Sequence, residues 1–319
     1  MRLADQISEI AGDKDCDYQW CGAVAKLSEH ISRAECFELE SDVVETVERL
    51  RFTKPSSLVT ALPFARMPYP LMWVEWRNVM SPYKRPVSYG EEAPTRTGVL
   101  IQQGETALDG LMSWVFQFRN EVMSPVPFGA MFDFTRQILD SAGLSNVDVM
   151  AGNSVWSKIK AREGEADAAR KIVGHMSLAA PPHMWRWLKE AWPELPEEKR
   201  GFLERSYLKD LEGEPWFAAM CLVMLNTKGM LESERQDLSK LNRARGKSKR
   251  RALREFAITR LSVGRKLQKS GTGVTREMAR QHLVRGHFKV RKGGVFWWSP
   301  FVRGNQDISV PRERYVVKG

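Results

Sequence analysis

The spacing of hydrophobic residues over the first fifty positions is typical of amphipathic helices. Apolar residues recur at steps of three and four with charges between them: Ile7, Ile10, Val24, Leu27, Ile31, Val43, Val44, Val47 and Leu50. A Lys-Pro-Ser-Ser run at 54–57 breaks the pattern. The sequence therefore predicts an N-terminal helical segment over residues 1–54.

The pattern then changes to short runs rich in β-branched and aromatic residues, separated by proline and glycine clusters. The runs cover residues 57–62, 71–76, 98–103 and 112–119. Side-chain type alternates through Trp73-Val-Glu-Trp76, which predicts a mixed or antiparallel sheet with one polar face. We expect Trp73 and Trp76 either to line a groove or to pack beneath it.

Residues 130–240 return to helical spacing, and the apolar run ending at Leu225 predicts a central buried helix. Residues 241–251 form a hydrophilic, basic connector. Residues 254–263 alternate and favour a strand, although a helix fits as well. Runs at 284–290 and 295–299 flank Arg-Lys-Gly-Gly, and glycines supply the positive φ that a tight hairpin turn requires.

Together these patterns predict an α+β protein with a C-terminal basic β-hairpin packed on the sheet. The predicted segments are residues 1–54, a central sheet with helices over 55–240, and a basic β module over 241–319. One continuous domain is the alternative. The 319 residues, 43% of them hydrophobic, suffice for one large domain or two ordinary ones.

Charge is distributed unevenly along the chain. Residues 240–319 hold 22 Lys and Arg against 4 Asp and Glu, whereas residues 1–239 carry −8 of the overall +10. An acidic body with a basic end predicts an anionic partner for the last eighty residues, such as RNA or a ribosome-associated target. Solubility, or docking of the basic end onto the acidic body, explains the same pattern.

The sequence also limits where in the cell the protein is expected and which metals or cofactors it could bind. The first residues lack an apolar signal core, and the longest apolar run is too short to cross a bilayer, so we expect a cytoplasmic protein. Four cysteines occur without a CxxC pair, which favours buried free thiols over a zinc site. We expect neither a metal nor a cofactor, because no nucleotide-binding or zinc-protease motif occurs.

Two histidines, His282 and His287, lie between cationic residues near the C-terminus. Imidazoles beside Arg285 suit a metal-independent ribonuclease, in which one ring removes a 2′-hydroxyl proton and the other protonates the leaving oxygen. A spacing of five on a strand, however, places the rings on opposite faces unless the chain bends near Gly286. Whether the chain is an enzyme is therefore left open, and a structural or binding role is favoured.

Aromatic and cationic residues interleave in the same region, a mixture that fits single-stranded RNA or a protein-binding groove. A hairpin with one buried face and one solvated face explains it equally. The candidate binding residues here are Lys289, Trp297 and Trp298. A separate basic patch within the connector, which could contact phosphate or only solvent, consists of Lys247, Lys249, Arg250 and Arg251.

The C-terminal string Arg280-Gln-His282-Leu-Val-Arg285-Gly286-His287-Phe, a short turn and Trp297-Trp298-Ser-Pro resembles a known family. It is similar to the close of the AcrVA-two-like proteins, the second-described type V-A anti-CRISPR family with its phage and mobile-element relatives. The Pro-aromatic block leading to Trp73 and Trp76 is similar as well. The turn is shorter here, and the helical N-terminus differs.

The resemblance implies a translation-coupled repressor. Members of the AcrVA-two-like family recognise the nascent N-terminal part of the type V-A nuclease and cause loss of the messenger RNA that encodes it. It therefore implies a protein that meets a nascent polypeptide or a ribosome–mRNA complex and silences that nuclease or another host gene. The implied working surface comprises Arg280, His282, Arg285, Gly286 and His287. RNA or protein binding without catalysis is the alternative.

Overall fold

The computed structural model describes residues 2–13, 20–53, 59–78, 94–119, 122–136, 174–201, 214–227, 230–261, 282–284, 287–291, 294–298 and 301–303. Its helices are α1 (Leu3–Gly12), α2 (Cys21–Arg33), α3 (Ser41–Thr53), α4 (Trp185–Glu190), α5 (Glu214–Leu225) and α6 (Ser239–Lys247). No helix within these ranges is long and apolar enough to span a membrane.

Eight strands form one mixed sheet in the order β6-β5-β4-β3-β2-β1-β8-β7. They are β1 (Glu35–Leu39), β2 (Leu71–Arg77), β3 (Arg96–Gln103), β4 (Asp109–Gln117), β5 (Met123–Asp133), β6 (Met176–Ala179), β7 (Leu231–Arg235) and β8 (Ala257–Leu261). Strand β1 is parallel to both of its neighbours, and the other neighbours are antiparallel. The predicted α+β class and mixed sheet are confirmed.

Both faces of the central strands are buried, because alternate residues of β1 to β5 enter two different apolar clusters. Trp73 of β2 packs with residues of α1 and α2, whereas Trp76 packs with residues of α3 and α5. The prediction of one polar face is therefore wrong. The prediction fails because helices distant in sequence cover both faces of the sheet, and the alternation of residues within one strand cannot indicate this.

Several predicted elements are confirmed and others are wrong. Strands β2, β3, β4 and β8 lie where alternation predicts them, and Phe217–Met224 of α5 are fully buried as the all-round apolar pattern predicts. The run at 57–62 is instead helical from residue 59 onward and continues into a 3₁₀ turn at Leu62–Phe64. The helical readings of 1–54 and 130–240 missed β1, β5, β6 and β7.

The sheet takes strands from all three predicted segments, since β1 and β8 are neighbours. Whether those segments fold independently stays a prediction.

Among the cysteines, Cys36 and Cys221 are buried free thiols as predicted. The prediction is wrong for Cys21, which is disulfide-bonded.

Candidate functional site

The most cationic described surface is the basic arm, residues 239–251, which comprises helix α6 and the turn after it. The sequence predicts an irregular connector here, but the chain forms nine residues of helix. Lys240, Arg243 and Lys247 follow one another at steps of three and four, which places them on one face of α6. The stripe is ~10 Å long at the helical rise of 1.5 Å per residue.

Five cations of the basic arm have no acid partner within the described part of the chain, whereas Arg245 lies 3.9 Å from Glu9. Among those residues, no carboxylate pairs with any of the exposed side chains Lys240, Arg243, Lys247, Lys249 and Arg250. Arg235 and Arg260, by contrast, pair with carboxylates of the sheet edge. The arm therefore presents a concentrated positive field that suits a polyanion.

Specific hydrogen bonds fix the shape of the basic arm. The Asn242 amide donates to the Leu253 carbonyl at 2.9 Å and accepts from the Leu253 N–H at 2.7 Å. Beyond the arm, Arg254 donates its backbone N–H to Asp5 at 3.2 Å and its guanidinium to the Ile31 carbonyl at 2.8 Å. The cations therefore stand on a scaffold tied to α1 and α2.

A groove of about 500 Å³ separates α1 from the basic arm. Arg245 lies at its base, where its Nε donates to the Arg251 carbonyl at 2.8 Å and its Nη2 is 3.9 Å from Glu9 Oε1. The Arg251 guanidinium donates to the Ser8 carbonyl. The groove is lined by Glu9, Gly12, Asp13, Arg245, Arg250 and Arg251.

The four predicted patch residues Lys247, Lys249, Arg250 and Arg251 are all exposed on this arm. The sequence reasoning missed Lys240 and Arg243, although their helical spacing from Lys247 was visible once α6 is recognised as a helix. It also missed Glu9 and Arg245, and no local signal joins these two, because they are far apart in sequence.

The C-terminal strands form two ladders of a nested hairpin. Strand β9 (His282–Val284) pairs with β12 (Phe301–Arg303), and β10 (His287–Arg291) pairs with β11 (Gly294–Trp298). Two residues separate the ladders on each arm, between Val284 and His287 and between Trp298 and Phe301, so both ladders keep the same register. The predicted hairpin is confirmed, but the single run 284–290 is divided between two sheets.

The predicted Arg-His surface is described only in part. His282 lies opposite Arg303, and His287 lies opposite Trp298. Arg280, Arg285 and Gly286 lie outside the described residues, so a shared site for the two imidazoles stays a hypothesis.

The described side chains of the hairpin contact the protein interior. Val295 is 2% exposed and belongs to the core cluster of α3 and α5, and the half-buried Trp297 packs against that cluster. Lys289 is half-buried as well.

The two candidate tryptophans of β2 are unavailable to a ligand. Trp73 is 0% exposed and donates its indole N–H to Glu75 at 2.9 Å. Trp76 is 1% exposed, donates to Asn78 at 3.1 Å, and stacks on Phe217 with ring centroids 4.4 Å apart. Of the two expectations, lining a groove is therefore wrong, and both indoles pack in the core on opposite faces of the sheet.

A buried ionic cluster lies beneath α1. Glu75 contacts the Arg96 guanidinium and accepts the backbone N–H groups of Leu3 at 3.4 Å and Ala4 at 3.1 Å. Burial raises the pKa of Glu75, whereas Arg96 and the hydrogen bonds from Trp73 and Ala4 oppose that change. Every contact of the carboxylate is with the protein itself, so its role is to hold the first turn of α1 on the sheet.

No metal-binding group of three or more His, Cys, Asp or Glu occurs among the described residues. Comparison of the chain with protein-family models, with curated proteins and with solved structures gives no match. On the chemistry of its own residues, the basic arm with its groove is the candidate site.

Proposed function

We propose that the chain binds single-stranded RNA through the basic arm and acts in the bacterial cytoplasm to repress expression of a target gene during translation. The observation that carries the proposal is the set of exposed cations without acid partners in the described structure, on a helix and turn that are already shaped. Such a surface attracts phosphate at long range and pays little ordering entropy on binding.

The RNA-binding step is tested by fluorescence anisotropy with a labelled 20-nucleotide single-stranded RNA at several salt concentrations. The triple variant Lys240→Ala, Arg243→Ala, Lys247→Ala is expected to bind more weakly. Its log–log salt slope should be smaller by about 2, since each lost phosphate contact removes about 0.7. The matched control is Lys26→Ala, Lys189→Ala, Lys199→Ala, which removes the same charge from exposed positions elsewhere.

Equal loss of binding in both triple variants would contradict the proposal, because the effect would then follow net charge rather than the arm. The same RNA also tests the ribonuclease alternative. We expect the RNA to remain intact. If the RNA is cleaved in the presence of EDTA, and cleavage disappears in His282→Ala and in His287→Ala, the protein is a metal-independent ribonuclease and the binding proposal is wrong.

The translational part of the proposal is supported by the resemblance of the C-terminal motif to the AcrVA-two-like family. Its target is either a nascent polypeptide, that of the type V-A nuclease or of another host gene, or the ribosome–mRNA complex. Crosslinking in cells, followed by sequencing of the attached RNA and peptides, tests it. Recovery of neither ribosomal RNA, messenger RNA nor nascent peptide would show that repression during translation is wrong.

A further inference from the structure

The groove between α1 and the basic arm has two chemically different walls. The lining includes the basic residues Arg250 and Arg251, here called the arginine wall, and the acidic residues Glu9 and Asp13, here called the acidic wall. A pure phosphate site would exclude those carboxylates, since like charges repel. The groove therefore suits a ligand with an anionic part and, beside it, a part that donates hydrogen bonds.

The arginine wall retains free hydrogen-bonding capacity. A guanidinium has five N–H donors, and Arg251 uses one of them on the Ser8 carbonyl. The exposed Arg250 side chain makes no hydrogen bond or ion pair within the described structure. The planar fork of arginine matches two phosphate oxygens, so this wall fits the phosphate of a nucleotide.

The acidic wall is built to accept hydrogen bonds. Glu9 is 49% exposed, and its distance of 3.9 Å from Arg245 is too long for a hydrogen bond. An ionised carboxylate only accepts, and its two oxygens match two N–H donors side by side. Among the RNA bases, guanine presents such a pair, N1–H and the N2 amino group, whereas uracil, cytosine and adenine do not.

The dimensions of the groove agree with one nucleotide. Its volume of about 500 Å³ falls in the range typical of small-molecule sites. Gly12 lets the Arg251 guanidinium approach α1 closely, since a Cβ there would lie 3.3 Å from Arg251 Nη1. Arg250 belongs both to the cationic turn and to the lining of the groove, so an RNA strand bound at that turn would lie beside the groove.

We propose that this groove is a guanine-selective subsite for single-stranded RNA, in which Glu9 accepts from the base while Arg250 and Arg251 hold the adjacent phosphate. The subsite rests on the proposed RNA binding and adds base preference to it. Phosphate contacts supply affinity without sequence information, and the base contact of Glu9 supplies the selectivity.

The test compares three labelled 10-nucleotide RNAs at one fixed salt concentration: all-uridine, all-uridine with one central guanosine, and the same with inosine, which lacks the N2 amino group. We expect the wild type to bind the guanosine RNA roughly fivefold to tenfold more tightly than the all-uridine RNA or the inosine RNA. This is the lower part of the range for discrimination by a two-point base contact. Glu9→Gln should remove this increase, so that the variant binds the three RNAs equally. Arg250→Ala should weaken all three.

The control is Glu29→Gln, which removes a carboxylate that is 65% exposed on α2, outside the groove. Circular dichroism of each variant establishes that it is folded. If the wild type binds all three RNAs equally, or if Glu9→Gln keeps the guanosine preference, the subsite is refuted and RNA binding by the arm stands. If the folded wild type binds none of them, RNA binding itself is refuted, and the subsite with it.

Discussion

Single residues show how much of this fold depends on polar groups placed in the interior. His183 is 4% exposed, and neither of its ring nitrogens has a hydrogen-bond partner in the described structure. Burial, together with the nearby His30 and Lys26, lowers the pKa of His183 to about 3. In the unfolded chain this ring has a pKa near 6.5 and begins to protonate there. In the folded protein the ring is still neutral at that pH.

This difference predicts acid sensitivity. Between pH 6.5 and 3 the unfolded state binds more protons at this position than the folded state does. The free energy of unfolding should therefore fall as the pH falls, by up to about 1.4 kcal/mol per pH unit from this ring. Urea unfolding at pH 7.5, 6.5 and 5.5 measures it.

The variant His183→Met should flatten that dependence, because it removes the titrating group and leaves an apolar side chain in its place. The partly exposed His175 supplies the control, and His175→Gln should keep the wild-type slope. A wild-type slope in His183→Met would show that other groups cause the acid sensitivity.

At the scale of elements, the basic arm is held by few contacts. Asn242 bonds both the carbonyl and the N–H of Leu253, and together with Arg245, which donates to the Arg251 carbonyl, it closes the returning chain on α6. By contrast, α5 is buried on nearly every side. The arm should therefore open locally at a lower free energy than the sheet and its helices.

The variant Asn242→Ala should loosen the arm while the core remains folded. We expect faster amide exchange at Leu253 and across 248–251, with a loss of about 1 kcal/mol of local stability for the two hydrogen bonds. Hydrogen exchange followed by mass spectrometry measures this change. Lys240→Ala lies on the same helix without such contacts and should leave exchange unchanged. Faster exchange throughout β2 and β3 as well would contradict a local role.

The elements that could be predicted from the sequence are those whose burial leaves a local pattern. Alternation identified β2, β3, β4 and β8, and the all-round apolar run identified α5. Strand β1 was missed because its five residues lie between two amphipathic helices and continue their spacing of apolar positions. Helix α6 was missed because it buries no apolar face, so hydrophobic periodicity contains no signal for it.

The candidate site was predictable only in part, for a related reason. The charge of Lys247, Lys249, Arg250 and Arg251 is evident from composition, but the groove requires Glu9, which approaches them only in the folded chain. Trp73 and Trp76 illustrate the opposite case. They resemble surface aromatics in an alternating strand, and the helices that bury them are specified elsewhere in the sequence.

For the whole molecule, the sheet connects segments that the sequence separates. Strand β8 lies between β1 and β7, and Arg2 donates both to Glu38 of β1 at 2.8 Å and to Gln236 at 2.6 Å. Removing residues after 240 therefore removes an internal strand as well as a basic tail.

Two truncations test this arrangement. A chain ending at residue 240 should lose cooperative thermal unfolding, because β1 and β7 would each lose a neighbour. A chain ending at residue 275 keeps all eight strands and should unfold cooperatively, though at a lower temperature, since the packing of Val295 and Trp297 is lost. Calorimetry measures both. Cooperative unfolding of the shorter chain would support an independent C-terminal module.

The position of β8 also has a consequence for synthesis. The last residue of β1, Leu39, leaves the ribosome roughly 220 residues before β8 begins at Ala257, a delay of about 10–40 s at the usual rates of elongation. Until then, one edge of β1 has no partner strand from this chain. The protein therefore completes its sheet only after β8 has been synthesised, and a protein that docks on that edge would have only this interval in which to bind.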